Sequence, residues 1–191
     1  WSVRKEKIRH EEEPTIDVSH CRACTSCSQD CPFDAITMVP RTDGKKLPSQ
    51  AQINLDRCVA CGICTGSCDT EGIVQPWLNI KTERERLEAW VDGKVKEGAK
   101  PMVAFLCTHS AAAELNVDLE TERSPDLPGY RICPVPCTGW VSPRLVEQTL
   151  KKGAEGILIA GCSAGEPYFR EGAEWTEARF SGTRKPALRT L

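Results

Sequence analysis

The sequence predicts two units of different class, a small α+β unit in its first half and an α/β layer with a parallel sheet in its second. Two observations predict the division. Two cysteine runs of identical spacing, Cys21-Cys24-Cys27-Cys31 and Cys58-Cys61-Cys64-Cys68, mark an internal duplication in the first half. Short, continuously apolar runs alternate with helical patterns in the second. A length of 191 residues leaves room for one large domain or two small ones. The expected boundaries are a charged lead-in at 1–18, a cysteine-rich unit at 19–75, a helical connector at 76–100 and the α/β unit at 101–191.

Each cysteine run reads C-x2-C-x2-C-x3-C, and Pro32 follows the first directly. This is the rhythm with which bacterial ferredoxins hold two [4Fe–4S] clusters, so the first unit is expected to be ferredoxin-like. A short loop wraps three corners of a cubane; the fourth cysteine, beyond the turn, serves the other cluster. The expected sets are therefore Cys21, Cys24, Cys27 and Cys68 for one cluster, and Cys31, Cys58, Cys61 and Cys64 for the other. Zinc sites use paired C-x2-C units and do not need this rhythm. A disulfide framework suits a small secreted domain, which this is not.

The remaining elements follow in chain order. Residues 1–18 carry Arg4, Lys5, Glu6, Lys7, Arg9 and Glu11-Glu12-Glu13, and read as a solvated linker. Trp1 with the basic residues after it also suits the exit of a membrane helix, and a chain opening on Trp rather than Met is expected to have had sequence upstream. Pro32 suits the first position of a short helix through Ile36. Asp43-Gly44 makes the connection between the halves a hairpin or surface excursion. Ile53-Asn54-Leu55 reads as a strand entering the second run, and Gly62 gives that loop backbone freedom. A helix is expected from Thr82, as N-cap, to Glu97, stopped by Gly98 and Pro101. Met102–Leu106, Tyr130–Val135 and Gly156–Ala160 are expected as strands, with Pro134 pushing the second toward a sheet edge or a strand end. Between the last two, Ser142 caps a helix with Pro143 at its first position and Gly153 at its end. The resulting parallel sheet is expected to be flavodoxin-like or Rossmann-like.

Cys107, Cys137 and Cys162 fall at or just past the C-terminal ends of the three strands, the edge where open parallel sheets gather ligands. Cys133 lies inside its strand and joins them if Pro134 and Pro136 bend the chain. Four thiols there suit a third metal centre; ordinary buried cysteines are the plainer reading.

Val103-Ala104-Phe105-Leu106-Cys107, Pro134-Val135-Pro136-Cys137-Thr138-Gly139 and the stretch from Gly153 to Cys162 resemble the delta (iron–sulfur) subunit of methyl-viologen-reducing hydrogenase, over roughly residues 100–180. The resemblance implies a [2Fe–2S] cluster on Cys107, Cys137 and Cys162. Cys133 is not a position of its pattern, and is the expected fourth ligand only from the count of thiols near the sheet edge. It also implies electron transfer between a hydrogenase or another donor and a heterodisulfide-reductase-type flavoprotein, or a cytochrome b partner. The family commonly has a second cysteine three residues after the first, where this chain has Ser110, and another after the Gly-Cys, where this chain has Glu166 and Pro167.

Composition sets outer limits. A net charge of −2 argues against a nucleic-acid surface. No window reaches the eighteen or so apolar residues of a membrane span, and thiolate clusters favour the cytoplasm or the cytoplasmic face of a membrane. Gly161-Cys162-Ser163-Ala164-Gly165 fits a hydrolase nucleophile elbow, but all three histidines precede Ser163 and Pro167 obstructs the helix an elbow needs. His20 reads as a solvated loop residue, and His109 as a substitute ligand if Cys133 does not serve. The expected function is an electron-relay subunit without its own catalytic site. Two alternatives stand beside it: a flavin-binding catalytic oxidoreductase, and a redox or metal-sensing module with zinc at the third site.

Overall fold

A computed structural model of the chain describes residues 14–163 and 165–189. Most of the charged lead-in, including its basic residues, lies outside the described residues.

The first unit is a duplicated half. Strand β1 (Thr15–Ile16) pairs antiparallel with β4 (Ile73–Val74), and β2 (Ile36–Pro40) with β3 (Ser49–Ile53), in the register Ile36 to Ile53. One-turn helices α1 (Ser26–Gln29) and α2 (Ile63–Gly66) carry the third cysteine of each run, Cys27 and Cys64. The duplication reaches the backbone. Ala23 and Ala60, Thr25 and Gly62, and Asp34 and Glu71 occupy matching places in the two halves, and all six have positive φ. Left-handed residues between right-handed ones turn successive N–H groups inward, a concavity that suits anions.

The expected helix after Pro32 is absent. Asp34, at φ +48°, ends a single turn there, and the chain enters β2 at Ile36. Ile36, Met38 and Ala51 then cover the first unit's core from the hairpin, whose connection holds the Asp43-Gly44 turn. Strand β3 ends at Ile53, so Asn54 and Leu55 form the turn into the second run.

Helix α3 (Ile80–Lys96) starts two residues before the expected Thr82, because Asn79 Oδ1 caps it by accepting from the Lys81 N–H at 2.9 Å. It is no free connector. Ile80, Leu87 and Val91 pack with Val103 and Phe105 of β5 (Met102–Cys107) and with Leu145 and Val146. Helix α4 (Ala111–Glu114) is one turn after β5. Strand β6 (Tyr130–Val135) takes the sheet edge, as Pro134 requires. Helix α5 (Pro143–Lys151) is capped by Ser142 Oγ, which accepts from the Leu145 N–H at 3.1 Å. Strand β7 (Gly156–Ala160) completes a three-stranded parallel sheet in the order β6-β5-β7. Helices α3 and α5 cover one face; α4 and the segment leading to β6 cover the other through Ala112, Leu115 and Leu127. Helix α6 (Gly172–Phe180) begins well beyond Ser163, so no elbow helix follows that serine directly.

The two units meet without a gap. A Cβ on Gly66 of α2 would stand 2.1 Å from the Gly139 carbonyl oxygen and 2.3 Å from Arg179. Asp30, buried at 2 % exposure, accepts from Arg184 Nε at 2.8 Å and from Ser67 Oγ at 2.6 Å, and faces Arg179 Nη2 at 3.8 Å. Arg144 Nη1 donates to the Asp69 carbonyl at 3.1 Å. Gly66→Ala is expected to lower stability by about 1–3 kcal/mol, since backbone blocks the added methyl. Gly93→Ala, in open space on α3, is expected to raise it by about 1 kcal/mol. Anaerobic thermal melts of both variants check the contrast.

Candidate metal centres

Cys21, Cys24, Cys27 and Cys68 line one cavity, and Cys31, Cys58, Cys61 and Cys64 line another. The fourth cysteine of each run thus faces the other run's cavity, as the spacing predicts. The cavities match in size, with about 360 and 380 Å³ of atom-free space, open solvent included. Apolar side chains make up much of the remaining walls, Ile16, Met38, Ala51 and Ile73 around the first and Ile36, Ile53, Val59 and Ile63 around the second. Arg22, Thr25, Ser67 and Thr70 also line the first, and Gln75 the second. Among the described residues no three His, Cys, Asp or Glu side chains converge closely enough to hold a single metal ion. Each ring surrounds a void instead, a geometry that suits a multi-iron core.

The duplication also supplies matched donors to sulfur. The Ala35 N–H donates to Cys31 Sγ at 3.3 Å, and the Gly72 N–H to Cys68 Sγ at 3.2 Å, four residues after each cysteine. Arg41 holds the first loop by donating to the Cys21 carbonyl at 2.9 Å and the Val18 carbonyl at 2.6 Å. Burial pushes the Cys27 and Cys61 thiols up to about 12, and Cys64 well above its ordinary value. Thiolates in such walls need a compensating positive charge close by, which bound iron supplies. The residues fit the group.

Cys107 ends β5 and Cys162 follows β7, and these strands are neighbours in the sheet. Their sulfurs stand 3.9 Å apart. Thiolates about 2.3 Å from one tetrahedral metal stand about 3.8 Å apart, so the pair is spaced to share an ion. Cys137, past β6, caps the 3-10 turn Thr138–Trp140, its sulfur accepting from the Gly139 N–H at 3.4 Å. Cys137 also packs with Cys61 and Ile63, the latter a wall of the second cavity. A Cβ on Gly172, at the start of α6, would stand 2.2 Å from its sulfur. Burial pushes Cys137 up to about 11 and also raises Cys107. Burial acts upward on Cys162 as well, but the Tyr168 N–H, the Ser110 hydroxyl and Cys107 more than offset it, and the thiol lies below its ordinary value.

Cys133 is not brought to this group. Strand β6 runs unbroken through Pro134 to Val135, so Cys133 pairs with Phe105, two positions before Cys107. It packs in the core with Ile80, Leu87 and Val91. Burial raises it to about 12, and the charged groups acting on it are Arg131, Glu83, Glu122 and Arg86. The sequence missed Ser110 instead. Its N–H donates to the Cys107 carbonyl at 3.3 Å, and its buried hydroxyl acts to lower both the Cys107 and the Cys162 thiols. The sequence signal for it is its place three residues after Cys107, where the resembled family commonly has a second cysteine.

His109 and His20 lie among the described residues. His109 stacks on Tyr168, with centroids 3.8 Å apart and planes 3° from parallel, above the third group. His20 Nδ1 lies 2.7 Å from Asp17 Oδ2. Arg179 is the fully buried cation at the junction. Its Nη1 donates to the Gly139 carbonyl at 3.0 Å. Desolvation lowers it to about 10 against the pull of Asp30, and it acts electrostatically on both Cys64 and Cys137.

Two family models match separate parts of the chain. Residues 5–71 match the 4Fe-4S dicluster domain, and residues 102–189 match the delta subunit of methyl-viologen-reducing hydrogenase. An iron-sulfur subunit of the F420-non-reducing hydrogenase of Archaeoglobus profundus is 36% identical over 53 residues, 28% of this chain and 39% of that one. The corresponding iron-sulfur subunit of the vhc F420-non-reducing hydrogenase of Methanococcus voltae is 32% identical over 66 residues, 35% of this chain and 43% of that one. The match thus spans about two fifths of the length of these relatives. No solved structure matches the chain.

Removing the carboxylate from the junction leaves the buried Arg179 cation uncompensated. Asp30→Asn is expected to cost about 3–5 kcal/mol, measured by anaerobic denaturant unfolding.

Proposed function

We propose that this chain, which joins a 4Fe-4S dicluster domain to a domain of hydrogenase delta-subunit type, is an electron-transfer subunit of a larger oxidoreductase complex. The observation that carries the reading is the contact between three cysteine groups. The two rings adjoin through α1 and α2, and Cys137 of the third group packs against Cys61 of the second ring.

In this reading Cys21, Cys24, Cys27 and Cys68 hold one [4Fe–4S] cluster, and Cys31, Cys58, Cys61 and Cys64 the other. Cys107, Cys137 and Cys162 hold a [2Fe–2S] cluster with the Ser110 oxygen as fourth donor, in place of Cys133. Clusters of these kinds carry one electron at a time, with potentials set by burial, charge and hydrogen bonds to sulfur. The chain's own residues do the setting. Apolar walls exclude water, the Ala35 and Gly72 amides stabilise charge on Cys31 and Cys68, and Arg179 places a buried cation beside both the second and third groups.

Support for the third site also comes from topology. The order β6-β5-β7 is second-first-third along the chain, the order that opens a flavodoxin-like sheet, and its switch point lies between β5 and β7. Cys107 and Cys162 stand at that crevice. The relatives are named as hydrogenase subunits, so a hydrogenase is the proposed donor or acceptor on one side. A flavoprotein of heterodisulfide-reductase type, or a cytochrome b, is proposed on the other. The proposed place is the cytoplasm or the cytoplasmic face of a membrane; no helix among the described residues is long and apolar enough to cross one.

Anaerobic iron and sulfide analysis with EPR tests the assignment. The wild type is expected to hold about ten iron per chain, and Cys107→Ser about eight with loss of the two-iron signal. Cys133→Ser is expected to change neither, while Ser110→Cys keeps the iron count and shifts the two-iron g-values. Eight iron with one zinc, or iron loss in Cys133→Ser with none in Ser110→Ala, contradicts the third site.

A further inference from the structure

The surface beside the first ring is strongly charged. Arg22 from the first cysteine loop, Lys45 from the β2–β3 connection, Lys81 and Arg84 from α3, and Arg144 from α5 line one open groove. Glu71 is its only carboxylate, and that group is already engaged by Arg84 and, at 3.8 Å, by Arg144. Arg22 and Lys81 have no ion-pair partner among the described residues, and Lys45 Nζ donates to a neutral group, the Ser19 carbonyl, at 2.5 Å. The chain as a whole carries −2, so the groove runs against the average charge.

The groove leads to the candidate redox centre. Cys21 and Thr70 line both the groove and the first cavity, and Cys24 of the same ring is exposed. At the second ring, Cys61 and Ile63 are buried under the other unit. The first ring is therefore one outer terminal of the series. An opening of about 890 Å³, solvent included, is too broad for its cations to close on one small anion. Those cations come from four separate segments, with Arg22, Lys45 and Arg144 exposed. Dispersed cations of this kind suit the acidic surface of a protein, which they steer and orient before contact.

We propose that this groove is the docking face for an acidic electron-transfer protein, an iron–sulfur or flavin carrier, that exchanges one electron with the first cluster past Cys21. The proposal rests on the assignment of the first ring as a [4Fe–4S] site. One partner is oxidised by one electron as the other is reduced, and no bond or proton has to move.

Stopped-flow mixing under anaerobic conditions tests it, with a reduced acidic [2Fe–2S] ferredoxin as probe and the methyl viologen radical cation as control. The wild-type rate with ferredoxin is expected to fall steeply as sodium chloride rises. Lys45→Glu/Lys81→Glu is expected to slow the low-salt reaction about tenfold or more and to flatten its salt dependence. Iron content and cubane EPR signals are expected to hold, and the rate with the cationic methyl viologen to hold or rise. The glutamate at position 81 falls in the first turn of α3, where a carboxylate is favourable, so folding is retained. A variant rate within about twofold of wild type, or an equal loss with both reductants, overturns the proposal. Inhibition by inorganic phosphate beyond that of chloride at equal ionic strength also overturns it, since it marks a small-anion site. Absence of cubane signals in the wild type overturns the underlying assignment itself, which salt-insensitive reduction with intact signals does not.

Discussion

The two cysteine runs cannot be satisfied separately, and that constraint organises the molecule. Cys68 faces the first cavity and Cys31 the second, so each half of the first unit completes the other's ring. The exchange forces the halves to interlock around α1 and α2. It also explains why matched backbone features recur: the left-handed pairs Ala23 and Ala60, and the amide donors Ala35 and Gly72, serve equivalent corners of the two cavities. The core of this unit is otherwise slight, with few buried apolar residues beyond Ile36, Ala51 and Ile73. Thiols raised by burial in such walls make the empty unit poorly suited to carry charge, and iron is the natural counterweight.

The second unit extends this arrangement. Gly66 lets α2 approach the Gly139 carbonyl so closely that no side chain fits between them, and Gly172 does the same for α6 against Cys137. The third cysteine group is thereby held beside the second ring, not merely on the same chain. Asp30, Arg179 and Arg184 lock the contact, with Asp30 in the position before Cys31 and the arginines on or beyond α6. Arg179, which ties the units together, also acts electrostatically on Cys64 of the second ring and Cys137 of the third group.

Much of this was legible in the sequence where the signal is local. The C-x2-C-x2-C-x3-C rhythm carries the ring membership, and the apolar runs place β5, β6 and β7 to within a residue. Ser142 and Pro143 announce α5 because capping is decided within a few residues. The failures share a cause as well. Pro32 signals a helix start, but pairing of β2 with β3 draws Ile36 into a strand. Cys133 matched the count of thiols needed, yet strand alternation turns it toward α3. Ser110 stands out in the sequence only as a departure from the family pattern, because a serine carries no metal signal until its neighbours are known. Asp30 and Arg184 stand 154 residues apart, and the basic groove draws on four segments. No pattern along the chain could assemble either.

The central claim is that the second ring stands between the first ring and a two-iron centre on Cys107, Cys137 and Cys162. EPR of the fully reduced, anaerobically purified chain tests it most directly. The expected result is a two-iron signal split and rapidly relaxed by the neighbouring cubane. An isolated, slowly relaxing two-iron signal, or none at all beside two cubanes, contradicts it.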